Sequence, residues 1–329
     1  MIKVGMMSFA HMHAFSYAEC IEKIPNAELA AIYDDDPGRG EEAANRFDVP
    51  FVEDAQAFLE LPLDAVIICS ENARHKEMTI MAAKAKKHIL CEKPLALTVD
   101  EAEEMIEVCK EEGVLLQTAF PVRFSQSMQK LKRMIDHGEL GEIIAMRSVN
   151  RGQNPGGWFV DPKLAGGGAV FDHTVHMIDI MRWFLGKEIK EIYATVEHYF
   201  SEQEIDDAGL LTIEFEDGTI ASHDTSWSRF SKFPAWGDAA IEVIGTKKSV
   251  KADAFGEKLF HYKNEAKSLQ YSFLGNDIDQ GLVEDFLQSV SNGTEPSITG
   301  FDGLKAVEAA LAAYQSARES KPVLLREFS

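Results

Sequence analysis

Over its first 120 residues the chain alternates short apolar runs with amphipathic helical stretches, and no other feature restricts its fold as much. Lys3–Met7, Glu28–Asp34, Asp64–Ser70, His88–Glu92 and Val114–Phe120 are rich in Val, Ile and Leu and too short for helices. Between them His13–Ile24, Gly40–Phe47, Ala73–Lys87 and Thr98–Glu112 repeat apolar residues at helical spacing. Thr98 followed by Glu101 forms a capping box, and Gly113 supplies the stop. Strand and helix in alternation imply parallel strands joined by right-handed crossovers, hence a doubly wound α/β sheet of the Rossmann type.

After residue 120 the pattern changes. A helix over Ser125–Asp136 and a strand over Glu142–Asn150 lead through Asn154-Pro155-Gly156-Gly157 and Trp158 to Gly166-Gly167-Gly168. An apolar helix, Ala169–Leu185, opens from these glycines, and the alternating segments Ile189–Phe200, Gly209–Phe215 and Thr219–Trp227 follow. Asp217-Gly218 marks an antiparallel hairpin between the last two. Further strand-like runs occupy Ala239–Ile244, Ser249–Ala252 and Lys258–Tyr262, and two helices, Asp279–Ser291 and Gly303–Glu319, precede a last strand, Pro322–Leu325. The spacing predicts two domains: a nucleotide-binding one over 1–120, and an α+β one with an open, mostly antiparallel sheet over 121–329.

Composition narrows the function classes. A formal net charge of −21 repels phosphate backbones, so nucleic acid is not an expected partner. No apolar run approaches the roughly 20 residues of a membrane helix, and Met1-Ile2-Lys3-Val4 opens directly into structure without a leader, so a cytoplasmic location is the expectation. The cysteines, Cys20, Cys69, Cys91 and Cys109, lack CxxC spacing and read as reduced and buried.

Ligands of a doubly wound sheet bind at the carboxyl ends of its strands. The first strand-to-helix turn reads Gly5-Met6-Met7-Ser8-Phe9-Ala10-His11-Met12-His13, with Ser8, Ala10 and His13 where a dinucleotide fingerprint has glycines. Ser8 and Ala10 are still small enough for a backbone to approach a pyrophosphate at a helix N-terminus, so Ser8, Phe9, Ala10 and His11 are the cofactor candidates of this turn. Asp34 falls about 20 residues further on, where a carboxylate accepts from an adenine ribose. Asp36, before Pro37, suits a helix cap. Two adjacent acids, with no arginine until Arg39, favour NAD over NADP.

Two motifs bear on chemistry. Glu92-Lys93-Pro94 ends a strand-like run, so the Lys93 ammonium points at the ligand crevice, where it can polarise a substrate oxygen. In Gly166–Asp179, Asp172 and His176 lie four apart and share one face of an apolar helix. A histidine titrating near neutrality suits proton exchange with an alcohol whose carbon loses hydride, and the carboxylate can orient it.

With these motifs in order, nearly the whole chain resembles the glucose–fructose oxidoreductase, inositol dehydrogenase and rhizopine-catabolism (Gfo/Idh/MocA) family. Arg123-Phe124, Gly138-Glu139-Leu140-Gly141-Glu142-Ile143 and Lys321-Pro322-Val323 extend the match. The resemblance implies an NAD-dependent dehydrogenase of sugars, cyclitols or related polyols, with Lys93, Asp172 and His176 as the catalytic set and His176 as general base. It adds Ser70, Glu71, Asn72, His75, Glu92, Lys93 and Arg123 to the cofactor set, and a homodimer or homotetramer built through the second-domain sheet. The chain departs from the family at Glu71, usually proline, and at Thr174, usually glycine.

Trp158 is the first choice for stacking on a sugar among Trp158, Trp227 and Trp236, and His173 is a second substrate candidate. A metal reading draws on His11, His13, His173 and His176, but Lys93 opposes a cation there, so no metal is expected. Two rivals share the fold: a non-catalytic sensor, favoured by the altered glycines, and an enzyme that oxidises transiently on bound NAD before elimination.

Overall fold

The computed structural model of the chain describes residues 1–233, 237–261 and 270–325. In chain order these form β1 (Ile2–Met7), α1 (His13–Lys23), β2 (Ala27–Tyr33), α2 (Pro37–Phe47), α3 (Ala55–Leu59), β3 (Ala65–Ile68), α4 (His75–Lys84), β4 (His88–Cys91), α5 (Val99–Glu112) and β5 (Leu116–Thr118). There follow α6 (Gln126–Asp136), β6 (Ile143–Gly152), α7 (Pro162–Ala165), α8 (Ala169–Leu185), β7 (Ile189–Glu197), β8 (Ala208–Phe215), β9 (Ile220–Ser226), β10 (Gly237–Gly245) and β11 (Ser249–Asp253). The last elements are β12 (Lys258–His261), β13 (Gln270–Phe273), α9 (Ile278–Asn292), α10 (Gly300–Glu319) and β14 (Val323–Leu324).

Two compact units result. The first comprises Met1–Pro121, Lys163–Gly166 and Asp279–Val307; the second comprises Val122–Pro162, Gly167–Ile278 and Glu308–Ser329. The chain thus returns to its first unit twice, which a single cut at 120/121 does not describe.

The first unit carries a five-stranded parallel sheet in the order β2-β1-β3-β4-β5, so the strand order reverses between β1 and β3. Every residue of β3, Ala-Val-Ile-Ile, is buried, as a parallel strand covered on both faces requires. The capping signals act as read: the Glu101 amide donates to Thr98 Oγ1 at 3.2 Å, and Gly113 closes α5 in the left-handed conformation at φ 69°. At α2 the Arg39 amide donates to Asp36 Oδ1 at 3.1 Å, which makes Asp36 the cap and leaves Asp34 to another task.

The second unit carries a seven-stranded sheet, β11-β10-β6-β9-β8-β7-β14, in which only the β6–β9 pair is parallel. β8 and β9 pair antiparallel across Asp217-Gly218. α8 packs against β6, β8 and β9 and buries both its apolar residues and a set of polar ones. β12 and β13 form a separate two-stranded ribbon.

Candidate functional site

The turn after β1 keeps its shape without glycines. Ser8 adopts the left-handed conformation at φ 74°, where an L-residue is strained and glycine is at ease. The Ala10 amide donates to Ser8 Oγ at 3.2 Å and the Phe9 amide to Asp34 Oδ2 at 2.7 Å. α1 then starts at His13, whose amide donates to His11 Nδ1 at 3.2 Å, while the Ala14 amide donates to the His11 carbonyl at 3.1 Å. Ser8, Phe9, His11 and Asp34 are buried around this turn, and the His11 amide donates to the Cys69 carbonyl after β3 at 2.9 Å. The small Ser8 and Ala10 and the left-handed Ser8 fit the approach of a dinucleotide pyrophosphate at this turn.

At the β2 end the structure corrects one expectation. Arg39 is not remote from the acids: its Nε lies 2.9 Å from Asp34 Oδ2, and its Nη2 lies 2.6 Å from Asp34 Oδ1 and 3.1 Å from Asp35 Oδ1. Burial opposes the guanidinium's charge, but the paired carboxylates outweigh it and raise its pKa. Arg74 pairs with Asp35, and Arg39 also reaches Ser8 Oγ at 3.3 Å. One turn of helix sufficed to bring Arg39 back over Asp34.

After β3, Ser70 and Asn72 are buried, and Asn72 Nδ2 donates to the Ala165 carbonyl at 2.9 Å. Glu71 is partly exposed, 3.9 Å from Arg39. His75, read as a cofactor contact, is wholly buried, with Nδ1 2.9 Å from the Pro94 carbonyl and Nε2 3.3 Å from that of Ser70. Burial lowers its pKa, with partial compensation from the Pro94 and Ser70 carbonyls.

Glu92 and Lys93 follow β4, and the Lys93–Pro94 peptide is cis. Lys93 is buried, and its amide donates to Glu92 Oε2 at 3.0 Å. Glu92 Oε1 lies 3.0 Å from His13 Nδ1 and 3.9 Å from His11 Nδ1. Burial works against ionisation of Glu92, yet the two imidazoles and Lys93 hold its carboxyl well below the usual range. For His13 burial also opposes charge, but Glu92 prevails and raises the pKa.

In the second unit the glycine run is a fitted part. A Cβ on Gly168 would stand 1.8 Å from the Asp206 carbonyl oxygen, and one on Gly167 would stand 2.3 Å from the Tyr314 hydroxyl. Asp206 accepts from the Gly168 amide and from the Val170 amide, each at 2.8 Å, and so caps α8 from a distant loop. Asp172 and His176 then fall one turn apart on α8. Asp172 Oδ2 accepts from Trp227 Nε1 at 3.2 Å and lies 3.2 Å from His173 Nε2, while His173 Nδ1 sits 3.2 Å from the Asn150 carbonyl. Two neighbours therefore fix the carboxylate.

Trp227, buried, is in contact with this set through Asp172; Trp158 stacks on Phe159 at 3.8 Å between centroids, and Trp236 lies outside the described residues. Arg123, a cofactor candidate by the resemblance, forms a buried bidentate pair with Asp179 (Nε–Oδ2 2.7 Å, Nη2–Oδ1 2.5 Å) in the second unit, the partner a desolvated guanidinium needs. Trp227 was among the tryptophans considered for the pocket, but nothing in the sequence placed it on Asp172, or Asp206 at the start of α8, because each meets α8 from a distant segment.

Comparison with known proteins agrees with this geometry. Residues 2–120 match the oxidoreductase family with an NAD-binding Rossmann fold, and residues 128–251 match the GFO/IDH/MocA C-terminal domain. The chain belongs to the Gfo/Idh/MocA oxidoreductase family. It is 31% identical to myo-inositol 2-dehydrogenase of Thermotoga maritima, with 99% of each chain covered. It is 31% identical to scyllo-inositol 2-dehydrogenase (NAD(+)) of Bacillus subtilis, covering 98% of this chain and 96% of the relative. Among solved structures, GenD2 from gentamicin A biosynthesis in complex with NAD superposes with a TM-score of 0.91 at 25% identity, covering 99% of this chain and 97% of that one.

Proposed function

We propose that this dehydrogenase oxidises a secondary alcohol of a cyclitol, sugar or related polyol with NAD, His176 acting as general base. The observation that carries the reading is Asp172 and His176 on one face of α8, with Asp172 held by Trp227 and His173. When bound, NAD takes up the hydride that leaves the alcohol carbon. The proton of the same alcohol passes to the His176 imidazole, and the Lys93 ammonium polarises the oxygen as it becomes a carbonyl. Asp172 orients substrate and base. The Ser8–His11 turn and Asp34 hold the cofactor; acids outnumber Arg39 and Arg74 at the β2 end, which disfavours a 2′-phosphate. Relatives acting on inositols supply the substrate class.

The test is a cyclitol and sugar panel scored by NADH release. His176→Ala is expected to lower kcat by about 100- to 10,000-fold with NAD affinity nearly intact. Unchanged turnover removes His176 as the base. NAD binding without NADH release, and without elimination products, moves the chain to the sensor reading.

The second-unit sheet suggests the partner. Residues that alternate with the buried ones place Tyr193, Leu210, Ile220 and Leu324, all exposed, on one face. A second copy of the chain covers it.

A further inference from the structure

His11, His13 and Glu92 each offer a donor atom, and these atoms lie within 4.8 Å of one another. We infer that they form a site for a divalent transition-metal ion of the zinc class. His11 and His13 flank the start of α1, and Glu92 follows β4, so one cation would tie the glycine-poor turn to the segment after β4 that carries Lys93.

Distances and donor chemistry support the assignment. Metal–ligand bonds of about 2.0–2.2 Å in tetrahedral arrangement set donor atoms roughly 3.3 Å apart. His13 Nδ1 and His11 Nδ1 stand 3.0 and 3.9 Å from Glu92 Oε1, on either side of that figure. Two imidazoles and one carboxylate suit zinc, cobalt or nickel far better than magnesium or calcium. Three protein ligands also leave a fourth position for water or a hydroxyl.

Burial sharpens the point. Glu92 is wholly enclosed and His11 nearly so, and a buried carboxylate requires positive charge at close range. A second carboxylate contributes to the same negative field: Asp279 acts on His13 and Tyr17 and is held by Ser16 Oγ at 2.6 Å. Lys93, the group that argued against a metal in the sequence, acts on His13 from one side, and Glu92 and Asp279 oppose it. His11 Nδ1 accepts from the His13 amide at 3.2 Å, a long contact that a metal bond would replace.

The site shares His11 and Glu92 with the proposed cofactor set, so metal binding is measured without NAD or substrate, and its failure is distinct from a failure to bind NAD. Metal-stripped protein is titrated with Zn²⁺ by calorimetry and with Co²⁺ by visible absorption. One equivalent of each is expected, with affinity falling as pH drops because the imidazoles must be neutral. His13→Ala and Glu92→Gln should each weaken binding by at least the 10- to 100-fold typical of outer-sphere partners. Alanine at both His137 and His198, exposed and remote in sequence, should leave it unchanged. Circular dichroism checks each fold, and the half-exposed His13 variant carries the test if Glu92→Gln does not fold. Absence of stoichiometric binding, or binding that survives both ligand variants, overturns the site and leaves a hydrogen-bonded His13–Glu92 pair.

Discussion

Asp34 accepts from four donors at once: the amides of Phe9 and Asp36, and the Nε and Nη2 of Arg39. A carboxylate has about four lone-pair sites, so a ribose diol must share or displace the arginine. On the proposed NAD reading the pair acts jointly: the acid would repel a 2′-phosphate, and it occupies the guanidinium that would welcome one. Asp34→Ala should weaken NAD and shift the NAD/NADP preference at least about tenfold toward NADP, a change of roughly 1.4 kcal/mol in relative binding. Titration of the variant with both cofactors decides it. An unchanged preference would show that Arg39 is not released.

At the scale of elements, α8 depends on a glycine. The Asp206 carbonyl leaves no room for a Cβ at Gly168, and the same aspartate caps the helix that presents Asp172 and His176. Gly168→Ala should cost about 1–3 kcal/mol in urea unfolding, as overpacking does, and lower kcat by moving the helix start. A variant with wild-type stability and turnover would show that the loop yields freely. The glycine run was visible in the sequence; its cause was not, because Asp206 lies 38 residues on. Legibility followed the same rule elsewhere. The parallel sheet, the Thr98 cap and the Asp217-Gly218 hairpin rest on local pattern and are found as read. β13, the five-residue α3 and the return of Asp279–Val307 to the first unit escaped, since short elements carry little periodicity and packing partners are set by tertiary contact. Lys93, Asp172 and His176 were legible as motifs, whereas the Arg39–Asp34 and Arg123–Asp179 pairs required coordinates.

At the scale of the whole molecule, acid stability and assembly draw on the seven-stranded sheet. His223 is wholly buried in β9, with Nδ1 2.8 Å from Ser148 Oγ. Burial first, then repulsion from His173 and Arg151, pushes its pKa down to about 3. Unfolded, the ring takes a proton below about 6.5; folded, it resists until about 3, so stability is full above the first value and falls across that window as pH drops. The slope is about 1.4 kcal/mol per pH unit. His223→Gln keeps a polar partner for Ser148 but does not titrate, and should flatten the urea midpoint against pH in that range; an unaltered slope would assign the acid loss to other groups. The opposite face of the sheet is the proposed assembly surface. Tyr193, Leu210, Ile220 and Leu324 project from one face of β7, β8, β9 and β14 at 43%, 60%, 54% and 67% exposure, large apolar side chains set among polar neighbours such as Asp224 opposite Leu210 and Glu214 opposite Ile220. Burying them against a second copy removes that surface without any change in α8, which packs on the other face. Sedimentation should find a dimer or tetramer, and Leu210→Lys with Ile220→Lys should shift it toward monomer, since two uncompensated charges per copy would be buried at the contact. A monomeric parent protein at micromolar concentration would instead leave these side chains exposed and remove the sheet as an assembly surface.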